Sequence, residues 1–233
     1  MQIIKAKEKP LLQEPYDQSF SRRRFLRTTG LFGAAAVMAS GLTACGKDDD
    51  DEDGVNLGSG DTGILNYAYA LEQLEAAFYT QVMLSPYSGM NAAETAYLTD
   101  IRDHEIAHRE FFKTVLMGNA IPGLEVDFSS INFGSRASVL GTAKAFEDLG
   151  VAAYNGAGNL ITDGNNLLLA GKIVSVEARH AALIRELLEV NSFAGSDAVL
   201  TGGFDKALMP SEVLSVARTY VKTKINASNL PTQ

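Results

Sequence analysis

The chain has 233 residues, 46% of them hydrophobic and 21% charged, a globular balance that excludes collagen-like, fully disordered and polytopic membrane classes. Its 20 Lys and Arg stand against 28 Asp and Glu, a net charge of −8, and no basic stripe follows residue 27, so no nucleic-acid partner is expected. One cysteine, Cys45, leaves no internal disulfide and no cysteine zinc cluster, and the only histidines are His104, His108 and His180.

In chain order, Ser21-Arg22-Arg23-Arg24-Phe25-Leu26-Arg27 precedes an uncharged, Gly- and Ala-rich stretch over residues 28–44, the charged-then-apolar layout of an export signal and a poor membrane span. Ser-Arg-Arg-x-Phe-Leu resembles the twin-arginine export consensus, and Leu42-Thr43-Ala44-Cys45 resembles the lipobox of bacterial lipoproteins. These resemblances imply removal of the signal peptide 1–44, acylation of Cys45, the membrane as a partner, and a location in the cell envelope, periplasmic or on the outer-membrane surface. Removing 1–44 takes away seven bases and three acids, so the mature chain carries −12 instead of −8. The run Asp48-Asp49-Asp50-Asp51-Glu52-Asp53 repels itself, and residues 45–61 are expected to form an extended tether behind the lipidated cysteine. Gly58, Gly60 and Gly63 spell G-x-G-x-x-G there, but without a preceding strand the match is read as chance.

From Ile64 onward the apolar period is helical, and four long segments emerge at about 62–83, 91–117, 135–161 and 165–190. Some fifteen residues after Ile121-Pro122-Gly123 have no clear period, enough for a crossover between the second and third helices of a four-helix bundle. Residues 191–233 read as an extension with one short helix from Pro210-Ser211-Glu212, so the fold class is all-α. The helices echo in pairs. Leu71-Glu72-Gln73-Leu74 with Tyr79 parallels Phe146-Glu147-Asp148-Leu149 with Tyr154, and Glu105-Ile106-Ala107-His108 parallels Glu177-Ala178-Arg179-His180, as in a duplicated helical hairpin.

The glutamates carry the chemistry. Glu105 and His108 lie in one stripe with Leu98, Ile101, Phe112 and Val115; Glu177 and His180 lie in another with Ala170, Ile173, Ile184 and Leu187. Glu72 shares a face with Leu65, Ala68, Ala76 and Tyr79, and Glu147 with Leu140, Val151 and Tyr154. Four carboxylates therefore point at one core, and an unpaired buried carboxylate costs several kcal/mol or more. Two dications cancel four carboxylates, two neutral imidazoles complete the ligation, and oxygen-rich sets with one nitrogen per ion suit iron or manganese better than zinc.

Glu72, Glu105, His108, Glu147, Glu177 and His180, in that order, resemble the metal ligands of the ferritin-like superfamily, here over residues 62–190. Leu65-Asn66, Leu71-Glu72, Leu74-Glu75-Ala76 and Pro210-Ser211-Glu212-Val213-Leu214 are similar to the bacterial desiccation-related group within it. The resemblance implies a ferritin-like bundle with two Fe or two Mn ions, Fe favoured, and a reaction with oxygen or peroxide of oxidase, peroxidase or catalase type. It equally admits a stress-protection bundle in which metal is structural or absent, and it leaves a homo-oligomer open. It also implies that Tyr79 and Tyr154 hydrogen-bond ligand carboxylates. Glu75 reads as an extra ligand, a substitute for Glu72 or a partner of Arg109; the echo sets Gly150 opposite it and favours Glu72 as the primary ligand. Relatives often carry Asp just before each Glu-x-x-His, where this chain has His104 and Val176. His104 is read as a partly exposed structural residue, and Gly156 and Gly158 as close-packing positions or a local bulge.

Overall fold

A computed structural model describes residues 54–232, so the arginine-rich segment, Cys45 and the acidic run 48–53 lie outside the described residues. In chain order the elements are β1 (Val55–Asn56), α1 (Gly60–Leu84), α2 (Ala92–Leu116), a 3-10 turn (Met117–Asn119), α3 (Arg136–Gly158), α4 (Gly164–Leu188), α5 (Pro210–Ala217) and β2 (Ile225–Asn226). Among the described residues no helix is long and apolar enough to cross a membrane.

Side-chain oxygens start three of the four long helices by accepting from amides that have no partner inside the helix. Asn91 and Glu94 form a reciprocal capping box on α2, Ser135 accepts from Ser138 N on α3, and Asp163 accepts from Asn165 N and Asn166 N on α4. Short links fold α1 against α2 and α3 against α4, α1 touches α3, and α5 packs on α3. One end of the bundle is pinned by Asp61 of α1, whose carboxylate accepts from Thr162 N, Asp163 N, Thr162 Oγ1 and Asn166 Nδ2 at the start of α4. The opposite end is pinned by Arg136, which donates to Glu94 Oε1 and to Leu187 O, both at 2.7 Å.

The crossover from α2 to α3 is held by side chains of α1. Asn66, 2% exposed, donates to Leu57 O and Asn119 O and accepts from Ile121 N, while Gln73 accepts from Leu124 N. Beneath it an aromatic cluster joins α1, α3 and the C-terminal extension: Phe78 meets Phe146 edge-on at 5.1 Å, and Phe146 meets Tyr220 at 4.8 Å. Such pairs add roughly 0.5–1.5 kcal/mol beyond the area they bury.

Two expectations change. Residues 54–61 are not free tether: Val55 and Asn56 pair in parallel with Ile225 and Asn226, and Leu57 is fully buried, because an apolar Val-x-Leu segment finds both a strand partner and a core site. Gly58 and Gly60, at φ of 87° and 54°, turn the chain from this strand into α1, and a Cβ on Gly63 would lie 2.7 Å from Gly58 O; the glycine pattern serves that turn. Val115, placed by periodicity on the inner stripe of α2, is 40% exposed on its last turn and edges a crevice with Leu65, Phe111 and Leu169.

The extension returns along α3. Leu208 N donates to Ala152 O at 2.9 Å, and a Cβ on Gly156 would stand 1.8 Å from Leu208 O. Gly156 is thus a close-packing position, as its place inside a helix suggested. α5, read from Pro210-Ser211-Glu212, follows directly, with Glu212 accepting from Met209 N.

Candidate metal centre

Each long helix delivers its acid to one point. α1 contributes Glu72, α2 Glu105 and His108, α3 Glu147, and α4 Glu177 and His180; the i,i+3 spacing puts each Glu–His pair on one helical turn. All four carboxylates are fully buried.

The six side chains fall into two groups, each with one ligand atom per residue and all atoms within 4.8 Å of one another: Glu72, Glu105, His108 and Glu177, and Glu105, Glu147, Glu177 and His180. Glu105 and Glu177 belong to both. Their oxygens divide cleanly. His108 Nδ1 faces Glu177 Oε1 at 2.8 Å, Glu72 Oε2 at 3.4 Å and Glu105 Oε2 at 3.7 Å. His180 Nδ1 faces Glu105 Oε1 at 2.8 Å, Glu177 Oε2 at 3.3 Å and Glu147 Oε2 at 3.5 Å. Each nitrogen therefore meets three oxygens, none of them shared with the other.

These eight atoms are buried and none makes a well-directed hydrogen bond. Such groups are rare in folded proteins and each needs an explanation. The remaining oxygens of the two unshared carboxylates are satisfied: Tyr79 donates to Glu147 Oε1 at 2.5 Å, and Tyr154 donates to Glu72 Oε1. The tyrosines thus brace Glu147 and Glu72 from outside, leaving one oxygen of each turned inward.

Electrostatics explains why protons alone are poor occupants. Burial, with Glu177 and Glu105 nearby, holds the Glu72 carboxyl well above its usual range, and burial raises Glu147 to about 8. Burial also opposes charge on Glu105, but His108 and His180 outweigh it and bring Glu105 down to about 2. The imidazoles are affected in turn: burial lowers them, yet the surrounding carboxylates lift His108 strongly and His180 to about 12. Without a cation, the cluster holds itself together only by keeping protons on groups that would ordinarily release them at neutral pH. A pair of dications supplies +4 for four carboxylates, matching both the charge and the eight inward donors.

Glu75 lies outside both groups, so the cluster uses Glu72. Its carboxylate stands 3.1 Å from where a Cβ on Gly150 would be, and burial together with Glu105, Glu147, Glu177 and Glu72 pushes it well above the usual carboxylate range. Gly150, its counterpart in the echo, makes the room. Arg109, a conceivable partner for Glu75, pairs with Glu110 instead.

His104 plays a part its exposure did not announce. Its Nδ1 lies 2.9 Å from His180 Nε2, with the two rings nearly parallel. The signal was present in the sequence: His104 is four residues before His108, so the helical period sets it one turn along the same side of α2.

A family model described as a ferritin-like domain matches residues 60–190. No curated protein matches the chain.

Proposed function

The chain belongs to the ferritin-like family, and from that premise we propose that its inner quartet of acids holds two redox-active dications, iron in preference to manganese, that react with dioxygen or peroxide. The observation that carries this reading is the convergence of six buried carboxylate oxygens and two imidazole nitrogens with no hydrogen bonds of their own. Sets of three oxygens and one nitrogen suit iron or manganese better than zinc, and carboxylates that divide their oxygens between two positions are suited to bridging. Bound there, the ions would supply electrons to the oxidant.

The chain's own residues do the rest. Glu105 and Glu177 span both positions, Glu72 and Glu147 each close one, and the Tyr154 and Tyr79 hydroxyls hold those outer carboxylates in register. The buried aromatic and aliphatic shell keeps bulk water out, while the His108 side chain, 14% exposed, marks the side where a small oxidant comes closest. Acylation at Cys45 after twin-arginine export would place this bundle at a membrane in the cell envelope, already folded and loaded.

Protein loaded with ferrous iron without air and then exposed to oxygen or peroxide should consume the oxidant, with growth of near-ultraviolet absorbance as iron oxidises. Two bound ions with no consumption would reject the redox role. That outcome favours the second reading, a stress-protection bundle in which the ions only staple four helices together; the draw of ligands from all four long helices makes such a staple effective.

A further inference from the structure

The internal duplication supplies its own control. Glu72 corresponds to Glu147, Tyr79 to Tyr154, Glu105 to Glu177 and His108 to His180, and both halves repeat the same contacts: a tyrosine on the outer carboxylate and three oxygens around each Nδ1. The repeat breaks at the residue before each Glu-x-x-His. The residue before Glu105 is His104, whose Nδ1 meets His180 Nε2 at 2.9 Å; the residue before Glu177 is Val176, which has no side-chain acceptor to offer His108. No residue hydrogen-bonds His108 Nε2 among the described residues. Burial follows the same division, with side-chain exposures of 5% for His180 and 14% for His108.

We propose that the two cation positions are unequal: His104 is a positioning residue that fixes the His180 ring, so the position of Glu105, Glu147, Glu177 and His180 fills first and holds tightest, while the His108 position is the exchangeable one. The inference rests on the dinuclear reading above. Its physical basis is tautomer and orientation. For His180 Nδ1 to offer its lone pair inward, the ring proton must sit on Nε2, and the His104 Nδ1 lone pair accepts that proton in a hydrogen bond. The His180 ring is then held in the ligating rotamer before any ion arrives, and Nε2 keeps its proton when an ion takes the place of the one on Nδ1. His108, with no outer partner among the described residues, must find its ligating orientation on its own.

Titration of the full metal-free chain with manganese(II), followed by the electron paramagnetic resonance of free Mn2+, reads the two steps directly. The parent should show two steps separated by about tenfold or more, and His104→Leu should weaken the first by about 10–100-fold with little change in the second. His104→Asn, whose side-chain oxygen can accept from Nε2, should restore the first step. A purely structural role for His104 would not be rescued in this way. His108→Ala should keep the tight ion and His180→Ala only the weak one. Two equal steps in the parent, a loss confined to the second step in His104→Leu, or a tight ion kept by His180→Ala would each overturn the inference while leaving a two-ion centre intact. A parent that binds no ion overturns both.

Discussion

Glu147→Gln should change stability in opposite directions with and without metal. Glu147 is fully buried, and its carboxyl sits near 8 against an ordinary 4.5. A pKa raised by folding contributes stability that is complete below the free-chain value and lost as pH climbs through the folded one. The metal-free parent should therefore weaken between about pH 4.5 and 8, by about 3 kcal/mol at pH 7 when the two values are integrated at ~1.36 kcal/mol per unit. Glutamine carries no such charge, keeps an oxygen for the Tyr79 hydroxyl, and should recover most of that amount in the absence of metal. With saturating cation the order reverses, because Glu147 Oε2 is one of only three oxygens at its position and the binding free energy that stabilises the fold shrinks with affinity. Urea unfolding followed by circular dichroism, with chelator and with metal, at pH 5 and 7.5, measures all four cases. A metal-free variant no more stable than the parent at pH 7.5, or an advantage that does not shrink toward pH 5, would refute the electrostatic account of the cluster.

Tyr79→Phe and Tyr154→Phe keep the rings but release the outer oxygens of Glu147 and Glu72, so metal affinity should fall about 10–100-fold with helical content unchanged, as a manganese titration would show. Gly156→Ala would force a methyl to within 1.8 Å of Leu208 O, a backbone atom that cannot swing aside; overpacking at the upper end of about 1–3 kcal/mol outweighs the ~1 kcal/mol that alanine adds to a helix interior, and urea unfolding should show a net loss near 2 kcal/mol. Metal binding must displace protons from Glu147, near 8, and from the raised imidazoles, so affinity should climb from pH 6 to pH 8 with net proton release, measurable by titration in lightly buffered solution. A pH-independent affinity would contradict the protonated metal-free state.

The bundle was legible because its signals are local and repeated. Helical spacing of apolar positions, Gly and Pro breaks between segments, and Pro210-Ser211-Glu212 at the start of α5 located the five helices of the described residues to within a few residues, and two Glu-x-x-His turns with the Glu-then-Tyr echo singled out the acids that meet. What stayed hidden depends on partners distant in sequence. Val55-Asn56 is too short to announce a strand, and only Ile225-Asn226 makes it one. Asn66 reads as an ordinary helical residue until Leu57, Asn119 and Ile121 arrive around it. The four-residue step from His104 to His108 sets their shared side of α2, but what His104 touches is fixed by the neighbouring α4, which carries His180 to its edge. Glu75 was ambiguous in one dimension and is resolved by Gly150 across the α1–α3 contact.

The central claim is tested most directly by counting ions. Protein purified from its native envelope and analysed by inductively coupled plasma mass spectrometry should contain close to two iron or manganese ions per chain, and the His108→Ala, His180→Ala double variant should contain none. A folded parent without metal, or a double variant that retains both ions, would contradict it.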